Sequence, residues 1–291
     1  MSAAASTATG TALYGVTGWP LGQSLSPLLH NTGFAALGIN ALYLKWEVPP
    51  HKLPAFVESV RLLNIRGCSV TIPHKVGLLP LLDEVSPLAQ RVGAANTIYW
   101  KGESLCGENT DVAGFMAPLA GVPLAGADVL LLGAGGAARA VAAGLVAPAP
   151  HERPARVFVA TPSDKSHLPL AEEFGLTPLL WHDRHEPAPL LVINTTPLGM
   201  RGKAEDDTPY DFSVAAPCAP AGNTAPLAYD IVYNPLETRF LREARAAGRR
   251  CISGLEMFFG QGDAQFRLWT GQGLPPESRR ALETALGQQP R

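Results

Sequence analysis

The chain has 291 residues, of which 46% are hydrophobic and 16% are charged, and its formal net charge is −2 at pH 7. This composition suffices for one large domain or two medium ones, and it excludes a disordered chain, because disorder requires low hydrophobicity and high net charge. A chain so close to neutral also gives no electrostatic reason to expect a nucleic-acid or membrane surface as its partner.

The sequence lacks the segments that would indicate a secreted, membrane or metal-binding protein. Its four cysteines are scattered and form no CxxC pair, which is typical of reduced thiols in the cytoplasm. Residues Met1–Thr11 are small and polar like a flexible tail, and the charge-free stretch Val112–Ala127 is too short to span a membrane. His182 and His185 have ligand-like spacing but lie in a charged loop, so we predict no metal site.

Up to Trp100, strand-like and helix-like stretches alternate along the chain. Short apolar runs and period-two alternation predict strands, and a proline at the first helical position marks a helix start at Ser26. The predicted strands are Ala12–Thr17, Leu42–Val48, Gly67–Ile72 and Ala94–Trp100, and the predicted helices are Ser26–Leu37 and Leu53–Leu63.

A second set of alternating elements begins near Asp128. Strands separated by helical stretches of this length predict parallel pairing with right-handed crossovers, and therefore an α/β fold. Thr208–Ala225 is predicted to be a loop, and Gly287–Arg291 a fraying end. The predicted strands are Asp128–Leu132, Arg156–Ala160, Leu190–Ile193 and Leu227–Val232, and the predicted helices are Ala137–Leu145 and Ala171–Phe174.

A glycine-rich turn joins the first of these strands to the helix that follows it. Gly133 can take a tight turn, Gly135 lets the backbone approach a pyrophosphate, and Ala138 permits close helix packing. The helix start adds free N–H groups and the positive end of a dipole. The strand–turn–helix context favours a dinucleotide-binding turn over an ordinary tight turn.

The end of the next strand normally contacts the adenosine ribose. An acidic residue there would favour NAD and a basic one NADP, but the stretch Ala160–Lys165 has no carboxylate at the strand tip. The first charges are Asp164 and Lys165, so this stretch argues mildly against NAD without establishing NADP.

Polar residues cluster near glycine turns in the first half of the chain. Ser24 and Ser26 precede a helix, where a hydroxyl could cap the helix or hold a carboxylate, and local physics favours capping for Ser26. Lys75 follows a buried strand, and a partly buried lysine can act as an acid or base. Asn96 and Asp111 add an amide and a carboxylate, although each alone is more often a turn residue.

The order of these motifs resembles the shikimate dehydrogenase family. SxSPxxHN, VTIPHK, GAANT, GENTDxxGF, GAGGAAR, INTTPLGM, YDIVYNPxxT and GLEMFFGQ occur in sequence between about Tyr14 and Trp269. The resemblance implies two α/β domains with a cleft between them, the second a doubly wound parallel-sheet (Rossmann) dinucleotide-binding domain. It implies a substrate-binding catalytic domain at 1–114 plus 254–291 and a dinucleotide-binding domain at 115–253.

The resemblance also implies roles for individual residues. Lys75 and Asp111 would form the catalytic pair in the NADP-linked reduction of 3-dehydroshikimate to shikimate, a step of aromatic biosynthesis. Substrate contacts would come from Ser24, Ser26, Thr71, Asn96, Asp111, Tyr233 and Gln261. Cofactor contacts would come from Gly133, Ala134, Gly135, Gly136, Ala137, Thr161, Lys165, Ile231, Gly254 and Met257.

Two departures from the family pattern keep alternatives open. Gln23 replaces the usual histidine before the first serine, and Ala160-Thr161-Pro162 replaces the usual Asn-Arg-Thr, so the arginine that would meet the phosphate is absent. NAD therefore stays possible as cofactor, as in a quinate/shikimate enzyme. A catalytically silent metabolite-binding relative is the other alternative, although the presence of both catalytic residues argues against it. The partner would be a small molecule, and either a monomer or a homodimer is compatible with the sequence.

Overall fold

The computed structural model describes residues 10–22, 24–202, 204–216 and 224–287. Its contacts divide the chain into two compact units. The first unit comprises Met1–Thr110 and Gly262–Arg291, and the second comprises Asp111–Gln261.

Strands and helices follow the alternation that the sequence predicts, with ends that shift by a few residues. The strands are β1 (Ala12–Gly18), β2 (Ala41–Glu47), β3 (Gly67–Val70), β4 (Glu84–Val85), β5 (Thr97–Lys101), β6 (Ser104–Glu108), β7 (Asp128–Leu132), β8 (Arg156–Ala160), β9 (Thr177–Pro178), β10 (Leu191–Asn194), β11 (Leu227–Asp230) and β12 (Arg250–Ile252). The α-helices are α1 (Ser26–Ala36), α2 (Leu53–Leu62), α3 (His74–Gly77), α4 (Pro87–Val92), α5 (Thr110–Met116), α6 (Gly136–Val146), α7 (Leu168–Phe174), α8 (Arg239–Ala246), α9 (Gly254–Thr270) and α10 (Pro276–Gly287).

The division between the units falls inside two helices. One break lies between Thr110 and Asp111 in α5, and the other lies between Gln261 and Gly262 in α9. Our sequence-based boundaries, after residue 114 and before residue 254, fall within α5 and at the start of α9 and stay a prediction of the functional domains.

The sheet of the first unit is mixed, with strand order β2-β1-β3-β5-β6-β4. Strands β2, β1 and β3 are parallel, but β5 pairs antiparallel with both β3 and β6. The parallel pairing predicted for the second set of strands thus does not extend to β5. The reason is local: Asn96, just before β5, accepts a hydrogen bond from Val70 N at the carboxyl end of β3 (2.7 Å), so the chain re-enters the sheet from that edge.

The sheet of the second unit is entirely parallel, with strand order β12-β11-β10-β7-β8-β9. Counted within this unit, the strands run 3-2-1-4-5-6, which is the doubly wound Rossmann order and confirms the predicted fold class. Its central strands are apolar almost without interruption, as in Val129–Leu132 and Leu191–Ile193, because helices cover both faces.

Some sequence-based expectations fall on segments outside the described residues. They concern most of Met1–Thr11, the central part of Thr208–Ala225, and the end of Gly287–Arg291. Within the described ranges, no helix has the length and apolar character needed to cross a bilayer.

Candidate functional site

Loops at one edge of the first sheet carry several of the predicted substrate residues. Strands β1 and β3 are parallel and end at the same edge, and the loops beyond them are joined by backbone hydrogen bonds. Thr71 N donates to Thr17 O at 2.9 Å, and Trp19 N donates to Ile72 O at 3.0 Å. The loop that leads to Ser24 therefore lies beside the loop that leads to Lys75.

Ser24 and Ser26 contact each other at the start of α1. Ser24 Oγ donates to Ser26 Oγ at 3.2 Å, and Ser26 N donates to Ser24 Oγ at 3.3 Å. The expectation that Ser26 caps α1 is wrong: Leu25 occupies the cap position, and no side chain of the described residues caps the helix. Because Ser26 is the first residue of α1, its hydroxyl is not placed to receive the N–H groups of the first turn.

Lys75 lies in the short helix α3, which is tied to neighbouring segments on both sides. Ala95 N donates to Lys75 O at 2.9 Å, which places the lysine backbone next to the segment that carries Asn96. The buried ring of His74 contacts Val48 O through Nε2 at 2.7 Å, so this histidine anchors α3 to the loop after β2.

The second unit carries Asp111, so the predicted catalytic pair is divided between the units. Asp111 is buried in the first turn of α5. One turn later, a Cβ on Gly114 would stand 2.6 Å from both Gln261 N and Met257 O. This glycine therefore permits the close packing of α5 against α9, the helix that carries Gln261.

The residues predicted to surround the nicotinamide come together where β11 ends and α9 begins. A Cβ on Gly254 would stand 2.3 Å from Ile231 O, so only glycine fits at this approach. Tyr233 stacks on Phe258 of α9 with ring centroids 4.7 Å apart, and burial raises the pKa of its phenol. Met257 is buried in the same helix.

The turn from β7 into α6, which we predicted to bind a pyrophosphate, is a tight glycine turn with an open outer face. Gly133 has φ of +112°, and a Cβ there would stand 2.5 Å from Thr195 Oγ1. At Gly135 and Gly136 no heavy atom of the described residues lies within 4 Å of where a Cβ would stand, so the outer face of the turn is open. The first turn of α6 holds no acidic residue and no described side chain caps it, which leaves its N–H groups available for an anion.

The loop beyond β8 is a closed set of hydroxyl contacts beside one exposed lysine. Thr161 Oγ1 is buried, lies 2.8 Å from His167 Nδ1, and accepts from Ser166 Oγ at 2.9 Å. Ser163 Oγ donates to Ser166 Oγ at 2.9 Å. The three hydroxyls are thus hydrogen-bonded to one another, and Lys165, which we predicted to contact the cofactor, is exposed.

A buried carboxyl group at the end of β11 was not among the predicted site residues. Asp230 accepts hydrogen bonds from Thr238 Oγ1 (2.6 Å), Asn194 Nδ2 (3.0 Å) and Val232 N (3.0 Å). Burial outweighs these three donors and raises the pKa of Asp230 to about 7. Asn194 lies in the INTTPLGM motif and Asp230 in the YDIVYNPxxT motif, so these motifs indicated the cluster without giving its role.

The structure also shows polar residues that the sequence analysis missed. Tyr43, Ser69 and Gln265 are buried in the first unit and hydrogen-bonded to one another. A glutamine four residues after Gln261, and so on the same face of α9, was the available signal. No cluster of three or more potential metal ligands is assembled by the residues that the structure describes.

Comparisons with known proteins agree with this arrangement. Residues 16–98 match the family model described as the shikimate dehydrogenase substrate binding domain. A protein of Pelobacter propionicus named shikimate dehydrogenase (NADP(+)) is 52% identical over 276 residues, which cover 94% of this chain and 96% of that protein.

Solved structures give the same result for the fold. Shikimate 5-dehydrogenase of Thermus thermophilus, in complex with NADP(H) and shikimate, is 38% identical with a TM-score of 0.81, covering 94% of this chain and 100% of that one. Shikimate 5-dehydrogenase of Listeria monocytogenes, in complex with shikimate and NAD, is 29% identical with a TM-score of 0.82, covering 97% and 99%. From its sequence identity, coverage and fold, this chain belongs to the shikimate dehydrogenase family.

Proposed function

We propose that this protein catalyses the reversible, NADP(H)-linked reduction of 3-dehydroshikimate to shikimate. The observation that carries the proposal is the set of hydroxyl, amide and ammonium groups at one sheet edge of the first unit, from Ser24, Ser26, Thr71, Lys75 and Asn96. A ring acid with several hydroxyls needs many directed hydrogen bonds, and side chains on short, tied loops supply them.

In the proposal, Ser24 and Ser26 bind the substrate carboxylate, and Tyr233 adds its phenol on that side. Their contact at 3.2 Å places two hydroxyls where a carboxylate with two oxygens can accept from both. Thr71, Asn96 and Gln261 orient the ring hydroxyls.

Lys75 and Asp111 act on the ring hydroxyl that is oxidised. Lys75 takes the hydroxyl proton during oxidation and returns it during reduction, and Asp111 orients the same hydroxyl and balances the lysine charge. General acid–base help of this kind contributes roughly a hundred- to ten-thousand-fold in rate.

The turn Gly133–Ala137 holds the pyrophosphate, because its open outer face and the start of α6 offer N–H groups to an anion. Lys165 and Thr161 meet the adenosine ribose. Ile231, Gly254 and Met257 pack around the nicotinamide. The chemistry that NADP supplies when bound is hydride transfer at the ring carbon.

The alternatives are the two left open by the sequence. The loop after β8 lacks the guanidinium of the family pattern, and a family member from Listeria was solved with NAD, which favours testing NAD and quinate as alternative cofactor and substrate. We further propose a cytoplasmic location, since Cys68, Cys106 and Cys251 are free thiols, with the chain acting as a monomer or homodimer.

The test is the absorbance of reduced nicotinamide with purified protein, shikimate or quinate, and NADP or NAD. We expect turnover with shikimate and NADP. Turnover confined to NAD would reassign the cofactor, and a folded protein that binds shikimate by calorimetry but turns over neither pair would be the silent relative.

A further inference from the structure

A continuous series of hydrogen bonds crosses the interior of the first unit from Tyr43 to Asn96. Tyr43 Oη donates to Ser69 Oγ at 2.6 Å, and Ser69 Oγ donates to Gln265 Oε1 at 2.7 Å. Gln265 Nε2 donates to Thr97 Oγ1 at 3.1 Å, and Thr97 Oγ1 donates to Asn96 Oδ1 at 2.8 Å. All five side chains are buried, and together they form what we call the buried polar network.

Two backbone groups fix the direction of every hydrogen bond in this network. Thr110 N–H, which can only donate, meets Asn96 Oδ1 at 2.8 Å, and Asn96 O, which can only accept, meets Gln265 Nε2 at 3.3 Å. If the oxygen and nitrogen of the Asn96 side chain were exchanged, two donors would face each other. If those of the Gln265 side chain were exchanged, two acceptors would face each other. Because Gln265 Oε1 must accept, Ser69 donates to Gln265, and Tyr43 in turn donates to Ser69.

At one end, the network uses the full accepting capacity of Asn96 Oδ1. This oxygen accepts from Thr110 N at 2.8 Å, Thr97 Oγ1 at 2.8 Å and Thr110 Oγ1 at 3.1 Å. A carbonyl oxygen has two lone pairs, so it has no capacity left for a ligand. A ligand oxygen that meets this side chain therefore meets its NH2 group, which can only donate.

At the other end of the network, Tyr43 donates its hydroxyl proton to Ser69. Because that proton points to Ser69, the phenol oxygen can only accept from its other neighbour, Ser26. Burial raises the pKa of Tyr43, and its hydrogen bonds with Ser69 and Ser26 partly offset this effect. Ser26 therefore keeps its own proton to donate, either to Tyr43 or to a bound carboxylate.

From this directionality, and resting on the proposed function, we propose that Gln265 is a positioning residue for substrate binding. Through the buried polar network it makes the first unit present hydrogen-bond donors at two places, the NH2 of Asn96 and the hydroxyl of Ser26. The ligand class that fits is a hydroxylated ring acid whose ring oxygen and carboxylate both accept hydrogen bonds.

The substitution that tests this is Gln265→Glu, because its donor can be switched by pH. A protonated carboxyl group reproduces the acceptor and donor of glutamine, whereas a carboxylate only accepts. Thr97 Oγ1 would then donate its proton to the carboxylate at position 265, and Asn96 Oδ1 would lose one of its hydrogen-bond donors. We expect the KM for shikimate, relative to wild type, to rise about tenfold from acidic to alkaline pH, with a smaller change in kcat and an unchanged KM for NADP.

Two further variants separate positioning from general destabilisation. Thr97→Val removes one hydroxyl of the network. Because valine has no group that pH can protonate, the KM of this variant for shikimate should be raised at every pH. Val60→Ala is buried in the same unit but lies outside the network, and its KM should equal that of wild type.

The outcomes distinguish this inference from the proposed function. A Gln265→Glu variant whose KM ratio stays near one at all pH values, or a Val60→Ala variant with the same rise, would overturn the positioning role while wild-type turnover stands. If the wild type turns over no shikimate, calorimetric binding of shikimate to the same variants replaces KM, and absent binding to wild type overturns both proposals.

Discussion

In the first unit the predicted substrate groups are side chains anchored by other side chains, whereas in the second unit the predicted dinucleotide turn is almost entirely backbone. Asn96 receives hydrogen bonds from Thr97 and Thr110, and the buried polar network continues to Tyr43. The turn Gly133–Ala137 instead offers open space and the N–H groups of a helix start.

The difference follows from what each unit has to recognise. A ring acid is distinguished by the positions and directions of its hydroxyls, so its site needs side chains whose donors and acceptors are fixed. A pyrophosphate is recognised as an anion, and backbone N–H groups suffice where no side chain obstructs them. Substrate binding by the first unit should therefore be sensitive to substitutions that change polarity. Dinucleotide binding by the second unit should be sensitive to substitutions that add atoms.

The largest effect on turnover is expected from removing Lys75, the proposed general acid and base. Lys75→Ala should lower kcat by roughly a hundred- to ten-thousand-fold with little change in shikimate binding, because general acid–base help is lost. Stopped-flow and steady-state rates would measure it, with the exposed Lys101→Ala as the matched control. A Lys75→Ala enzyme with near-normal kcat would remove this residue from the mechanism.

A single added carbon atom should weaken NADP binding by the second unit without changing shikimate binding by the first. Gly133→Ala places a Cβ at φ of +112° and 2.5 Å from Thr195 Oγ1. Strain of this kind costs about 1–3 kcal/mol, so NADP should bind roughly 5- to 150-fold more weakly. Calorimetry should show unchanged shikimate affinity, and Gly121→Ala, which has positive φ but open space, is the control. Equal losses for both ligands would mean misfolding rather than a local effect.

Removing the exposed charge of the loop after β8 should have a smaller effect. Lys165→Ala should weaken NADP binding about three- to tenfold and leave NAD binding unchanged, since an exposed ion pair with a phosphate is screened by solvent. Fluorescence titration with each dinucleotide measures the ratio, and Lys52→Ala supplies the comparison. An equal loss for NAD and NADP would show that Lys165 does not contact the 2′-phosphate.

The last effect concerns the stability of the fold and its dependence on pH, rather than turnover or ligand binding. Because burial raises the pKa of Asp230 from 3.8 to about 7, the folded protein holds a proton there that the unfolded chain releases at lower pH. This carboxyl group therefore makes stability fall as pH rises from about 4 to about 7, by at most about 1.4 kcal/mol per pH unit. Above that range its contribution is constant.

Asp230→Asn should lack this slope, so the pH dependence should appear in the difference in stability between wild type and variant. Urea unfolding at several pH values would show the two curves diverging below neutral pH, with the exposed Asp206→Asn as control. Parallel curves throughout the range would mean that Asp230 is ionised in the folded protein.

Local patterns made some elements predictable. Strands β7 and β8 begin and end at the residues that the apolar runs indicated, and Gly133 takes the positive φ that a tight turn after a strand requires. These features depend on neighbouring residues, so periodicity and turn chemistry suffice to find them. The family resemblance then assigned roles to residues that composition alone left as turn residues.

Long-range contacts were beyond such patterns. Ser69 and Gln265 are hydrogen-bonded although they stand 196 residues apart, and nothing near either of them indicates the other. The antiparallel pairing of β5 likewise depends on where the chain re-enters the sheet. Burial of a polar residue becomes informative only when its distant partner is known.

The C-terminal segment that carries Gln265 has a consequence for biosynthesis of the protein. Trp269 donates to Ile98 O at 3.0 Å, and Phe266 packs on Phe34, so α9 completes the core of the first unit. Residues of the second unit are translated before this segment, and domains generally fold as they emerge. We therefore expect the second unit to fold on the ribosome before the first unit, whose core is complete only after the C-terminal segment has been translated.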